Sequence, residues 1–155
     1  MSDSHRQAKQ NTSTAALGIE SFALDTRLAA DSCWLMELQG NDVLLFDEQR
    51  YDWLVVVPRV VGAVELIDLT VVQQQQLAST VQHVASRLRQ HGRGHKLNIG
   101  ALGNVVRQLH VHVVLRAEGD AAWPAPVWGH SPRQPMAAAQ REAAIARWRE
   151  LLQLG

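Results

Sequence analysis

The stretch Gln108-Leu109-His110-Val111-His112-Val113-Val114 carries the reading of this chain. In a β-strand successive side chains point to opposite faces, so Gln108, His110, His112 and Val114 share one face while Leu109, Val111, Val113 and Leu115 share the other. One face is apolar; the other presents an amide and two imidazoles in a row. An imidazole titrates near neutrality and serves readily as nucleophile, acid or metal ligand. Three readings of this face stand open. It is the water-facing side of a half-exposed strand, a His-x-His zinc or iron site, or the working face of a catalytic strand. The metal reading lacks a third ligand: His83, His91 and His95 fall on or just after a helix, and no nearby strand offers a carboxylate at matching spacing.

Outward from this stretch, Gly103-Asn104 punctuates a turn between an expected strand at 96–101 and the histidine strand, expected over 107–116. Further upstream, Thr70-Val-Val-Gln73 has the spacing of a capping box, and Leu77, Val81, Val84 and Leu88 follow at helical intervals until Gly92. The run Gln73-Gln-Gln-Gln76 reads as the solvent side of that helix. Apolar runs at 33–38 and 43–46 flank a Gly40-Asn41 turn signal, which predicts a hairpin. A third strand at 53–57 ends at Pro58, whose missing amide cannot pair. After the histidine strand, Pro124 and Pro126 make 122–129 irregular, and 137–154 returns to helical composition with Ile145, Trp148 and Leu152 as its buried stripe. The expected fold is α+β: a mainly antiparallel sheet of about five strands, one long helix packed on it and a C-terminal helix. Residues 1–17, polar and without period, are expected to form a flexible tail, and 18–155 a single domain.

At 155 residues, with 46% hydrophobic and 19% charged residues, the chain fits one packed domain. Its 15 basic and 15 acidic residues cancel, so nothing global draws it to a nucleic acid polymer or an anionic membrane. The single Cys33 forms no internal disulfide, the first residues lack a signal-peptide apolar run, and every apolar run is shorter than a membrane span. A cytoplasmic protein is expected.

The stretch Gln108-Leu-His110-Val-His112-Val-Val resembles the histidine-triad motif, His-apolar-His-apolar-His-apolar-apolar, with Gln in place of the first histidine. Lys96-Leu-Asn98-Ile, Gly103-Asn104 and Arg116 follow the order of the histidine-triad (HIT) superfamily, and Leu44-Leu-Phe-Asp47 with Trp53-Leu-Val-Val-Val-Pro58 resembles the strands of its nucleoside pocket. The resemblance covers roughly residues 33–116, and Trp123-Pro-Ala-Pro-Val-Trp-Gly129 looks like a bacterial, diadenosine polyphosphate hydrolase-like branch.

The resemblance implies a HIT-like fold and cleavage of a nucleoside phosphoanhydride or phosphoramidate at the α-phosphate through a nucleotidyl-histidine. By position, His110 matches the nucleophile and His112 the histidine that donates a hydrogen bond to a phosphate or bridging oxygen. Asn98 matches an amide that contacts phosphate, the competing view being a strand-end turn former. Gly103, Asn104 and Val105 match the phosphate-contacting loop, though Gly103 also suits a plain turn. Asp47 matches a ribose-binding residue, against an exposed hairpin Asp. Two departures stand out. Gln108 keeps hydrogen bonding at the first triad position but cannot titrate. Trp53 stands where relatives often carry a smaller residue or histidine, and either stacks on a base or packs in a core or dimer interface. Trp123 and Trp128 form a lid or a dimer contact. The expected partners are a nucleotide, an adenosine phosphate first, and a second copy of the chain; no cofactor or protein-held metal is needed. The rivals are a regulatory module that binds purine nucleotides without turnover, and a metal-dependent enzyme using His110 and His112.

Overall fold

A computed structural model describes residues 21–154. The expected tail at 1–17 lies outside them. The order of elements is α1 (Thr26–Asp31), β1 (Ser32–Leu38), β2 (Asn41–Phe46), β3 (Asp52–Pro58), a 3-10 turn at Leu66–Asp68, α2 (Val71–His91), β4 (Lys96–Gly100), β5 (Val111–Arg116) and α3 (Ala138–Gln153). The strands form one five-stranded antiparallel sheet in the order β1-β2-β3-β5-β4. The α+β expectation holds.

Local chemistry accounts for the boundaries. The β1–β2 hairpin turns through Gln39 and Gly40, both left-handed at φ 50° and 76°, as a two-residue turn matched to strand twist requires. Thr70 and Gln73 close the capping box of α2 reciprocally, the Gln73 amide donating to Thr70 Oγ1 and the Thr70 amide to Gln73 Oε1. Gly92 ends α2 in an ordinary conformation; a Cβ there would lie 2.5 Å from Leu115 Cδ2 and 2.6 Å from the Leu88 carbonyl. Close approach therefore explains this glycine. The short α1 has no counterpart in the sequence-based expectation; Asp25 caps it by accepting from the Arg27 amide at 2.8 Å.

Alternation along the strands divides the interior in two. Val43, Leu45, Leu54, Val56, Val111, Val113 and Leu115 face α2 and α3, joined by Leu77, Val84, Leu88, Trp148 and Leu152. Leu44, Trp53, Val55, Val57 and Val114 face the other way, covered by Leu28 of α1 and by Ala122 and Val127. The sheet is buried on both sides; a cavity of about 220 Å³ lies on the first side, beside Leu45 and Trp148, and a wider one on the second.

One boundary departs from expectation. The ladder of β5 begins at Val111, not at 107. Val111 pairs with Val56 of β3 and His112 with Gly100 of β4, and those registers stop there. Upstream, the Leu109 amide turns to the Ala63 carbonyl at 3.0 Å. Gln108 and His110 therefore lie in the lead-in to the strand, not on its ladder.

Candidate active site

A cavity of about 750 Å³ opens on the second face of the sheet. It is lined by Arg27, Leu28 and Asp31 of α1, by Phe46, Trp53, His110 and His112, by residues 102–106, and by Val127 and Trp128. That volume suits a nucleotide-sized ligand.

The two histidines sit side by side, ring centroids 4.8 Å apart, and both are buried. Their hydrogen bonds make them unlike. His110 Nδ1 lies 2.7 Å from the Gln108 carbonyl oxygen. A carbonyl only accepts, so Nδ1 carries a proton, and in the neutral ring the lone pair is on Nε2. The reverse holds at His112, whose Nδ1 receives the indole N–H of Trp53 at 3.0 Å. An indole only donates, so His112 Nδ1 is the acceptor and Nε2 bears the proton. Burial, with His110 beside it, pushes the His112 pKa down to about 3. At neutral pH His112 is therefore an uncharged N–H donor.

The charges around the cavity do not balance. Arg27, Arg50 and Arg133 line it with only two carboxylates, Asp31 and Glu48. Glu48 pairs with Arg50 at 2.7 Å and Asp31 with Arg133 at 3.0 Å. Arg50 holds Glu48 in its ionised form against burial. The Arg27 side chain makes no ion pair among the described residues. Trp128 Nε1 is buried without a hydrogen-bond partner among them, an unmade bond that costs about 1–3 kcal/mol.

Of the residues expected to form the site, His110, His112, Trp53, Gly103, Asn104 and Val105 line this cavity. Gln108, Asp47 and Asn98 do not. The Gln108 carboxamide bonds to the backbone of residues 23 and 25. Asp47 is not an exposed hairpin residue open to a ribose. It is buried, accepting from the Met136 amide at 2.9 Å and pairing with Arg133 and Arg141, so it anchors the segment before α3. Asn98 Oδ1 accepts from Arg116, itself buried and bound to Asp120 and the Ala125 carbonyl. Asn98 therefore braces the turn after β5. Trp53 is enclosed, 4.4 Å from the Phe46 ring centroid, and its polar end is committed to His112.

Sequence reasoning left the two Trp residues undecided between lid and dimer contact. The structure separates them: Trp128 lines the cavity, 5.9 Å from His112, while Trp123 lies over Arg116. Arg27, Glu48, Arg50 and Arg133 were missed. The signal for Arg27 was Asp25 as a helix cap ahead of Thr-Arg-Leu-Ala-Ala; Glu48 and Arg50 pair two residues apart, but their place at the cavity, like that of Arg133, depends on contacts across the chain.

The HIT domain model matches residues 30–119. A histidine triad protein from Bradyrhizobium japonicum is 41% identical over 86% of this chain and 99% of its own, with a TM-score of 0.81. One from Marinobacter aquaeolei VT8 is 40% identical over 86% and 98%, with a TM-score of 0.83. A histidine triad (HIT) protein from Sinorhizobium meliloti 1021 is 40% identical over 83% and 96%, at 0.80. No curated protein sequence matches. With the fold, the paired imidazoles and these relatives in agreement, the chain belongs to the HIT domain family, which includes nucleotide hydrolases and transferases.

Proposed function

We propose that the protein cleaves a nucleoside phosphoanhydride or phosphoramidate, such as a diadenosine polyphosphate, at the α-phosphate, with His110 as nucleophile. The carrying observation is the opposed state of the two imidazoles: His110 offers a lone pair at Nε2 and His112 a proton at Nε2.

The His110 Nε2 lone pair attacks the α-phosphorus, and the bond to the leaving group breaks with its electron pair on the leaving atom. As His110 gains positive character, its Nδ1–H bond to the Gln108 carbonyl becomes charge-assisted and stabilises the phosphoramidate. His112 Nε2–H donates to an oxygen on which charge develops. Held neutral, it supplies a dipole and not a full positive charge. Water then attacks phosphorus and gives up a proton to solvent, the N–P bond breaks, and the pair returns to His110 as the nucleoside monophosphate leaves. Gly103, Asn104 and Val105 border the phosphate, and Trp53 acts through His112.

In this reading the protein is cytoplasmic, its ligand an adenosine phosphate and not a nucleic acid polymer or membrane. Among the described residues no helix is long and apolar enough to cross a membrane. We propose a homodimer, since β1 and β4 are open sheet edges that gain by pairing; light scattering at the monomer mass would contradict it.

The test is intact-protein mass spectrometry after brief incubation with adenosine phosphoramidate and dinucleoside polyphosphates. Wild type is expected to gain a nucleotidyl mass that His110→Ala does not. Binding without adduct or monophosphate release from any substrate would favour the non-catalytic module.

A further inference from the structure

The residue at which this chain departs from the triad motif does something the motif does not describe. Gln108 Oε1 accepts from the Asp25 amide at 2.8 Å, and Gln108 Nε2 donates to the Ala23 carbonyl at 2.8 Å. In extended chain the carbonyl of one residue and the amide two residues later point to the same side. A primary carboxamide, with its donor and acceptor on one carbon, spans that pair as a peptide group would. In imidazole the two nitrogens are also joined through one carbon, but they point away from each other, so one donor and one acceptor cannot meet a neighbouring carbonyl and amide together.

The connection continues toward the cavity. Asp25, held by Gln108, accepts through Oδ1 from the Arg27 amide at 2.8 Å and so starts α1. Leu28, one residue on, is buried among Trp53, Val55 and Val57. Arg27 therefore stands at the cavity wall on a segment fixed at both ends. It is also the cavity arginine with no carboxylate partner among the described residues, Arg50 and Arg133 being matched by Glu48 and Asp31. The cavity that holds His110 and His112 is thus lined by one more arginine than carboxylates, in a chain of zero net charge.

We propose that Arg27 forms a subsite for an anionic leaving group, one bearing phosphate, and that Gln108 is the positioning residue that holds Arg27 there. The inference rests on cleavage at His110 for its mechanism. As the bond from α-phosphorus to the bridging oxygen breaks, that oxygen leaves with the electron pair, and the guanidinium meets the charge gathering on the departing phosphate. An amine leaving group would draw little from Arg27.

The kinetic test compares diadenosine tetraphosphate with adenosine 5′-phosphoramidate. Arg27→Gln is expected to lower kcat/KM for the polyphosphate about tenfold more than for the phosphoramidate, the usual scale of one charge-assisted contact, and Arg27→Lys to restore part of the difference. Gln108→Ala should shift the same ratio in the same direction, yet add nothing to it in the Arg27→Gln background. Simple destabilisation would not show that non-additivity. Thermal melting checks that each variant folds.

A binding arm separates this proposal from the catalytic one. Titration of ATP and AMP into His110→Ala, with and without Arg27→Gln, is expected to show ATP losing about tenfold more affinity than AMP. If wild type cleaves neither substrate while that difference appears, the hydrolytic reading fails and the subsite stands. Equal losses for both ligands and both substrates, or none, would overturn the subsite. An independent increment from Gln108→Ala in the Arg27→Gln background would overturn its positioning role.

Discussion

On one face of β5, Val111, Val113 and Leu115 meet α2 and α3 through volume and shape alone. On the other side, His112 of β5 and His110 just ahead of the strand are also buried, but each is held by a partner that can only accept or only donate. Packing tolerates a change of shape at graded cost, whereas a donor–acceptor assignment is lost when one partner goes. The apolar face should therefore govern stability and the polar face chemistry.

The sharpest break between the two faces is His110→Ala. Turnover is expected to fall on the order of 10⁴-fold while the melting temperature moves little, read by monophosphate release and calorimetry. On the opposite face, Leu115→Ala should cost about 2–5 kcal/mol in denaturant unfolding, with kcat nearly unchanged in the folded protein. If Leu115→Ala removed activity without loss of stability, the division would be wrong. Between them stands Trp53→Phe, which keeps most of the ring and deletes the N–H. His112 Nδ1 is then left without its donor, and a loss of about 10–100-fold in turnover is expected, corresponding to about 1–3 kcal/mol.

The smallest effect is a pH slope. His112 is held at about 3 in the fold against an ordinary 6.5, so unfolding takes up a proton between those values. Its contribution to stability is complete above pH 6.5 and is lost as pH falls toward 3. Unfolding curves for His112→Asn should accordingly be flatter over that range, by at most about 1.4 kcal/mol per pH unit. Equal slopes in variant and wild type would show that His112 is not held neutral.

The same contrast explains what could be read in the sequence. The hairpin, the Thr70–Gln73 box, the Gly92 stop and the alternation around His110 and His112 are written within a few residues, and each was legible. Asp47, Asn98 and Gln108 were placed by resemblance, but their partners are fixed by tertiary contacts. Arg133 and Met136 lie nearly ninety residues from Asp47, and Asp25 lies 83 from Gln108. A short polar side chain records nothing locally about which distant group it will meet. Arg27 was hidden for a different reason: α1 has six residues, too few to show a period, and the Asp25 cap was its one local mark. Trp53 was legible as an aromatic departure, but its role depended on the register that sets it opposite Val114, beside His112.

Nitrogen-15 NMR of the imidazoles reads the difference between the two histidines itself, because proton positions and not heavy atoms distinguish them. At pH 7 a proton is expected on Nδ1 of His110 and on Nε2 of His112, with His112 remaining neutral until the pH falls well below 5. The same tautomer at both residues, or a His112 that titrates near 6.5, would contradict that assignment.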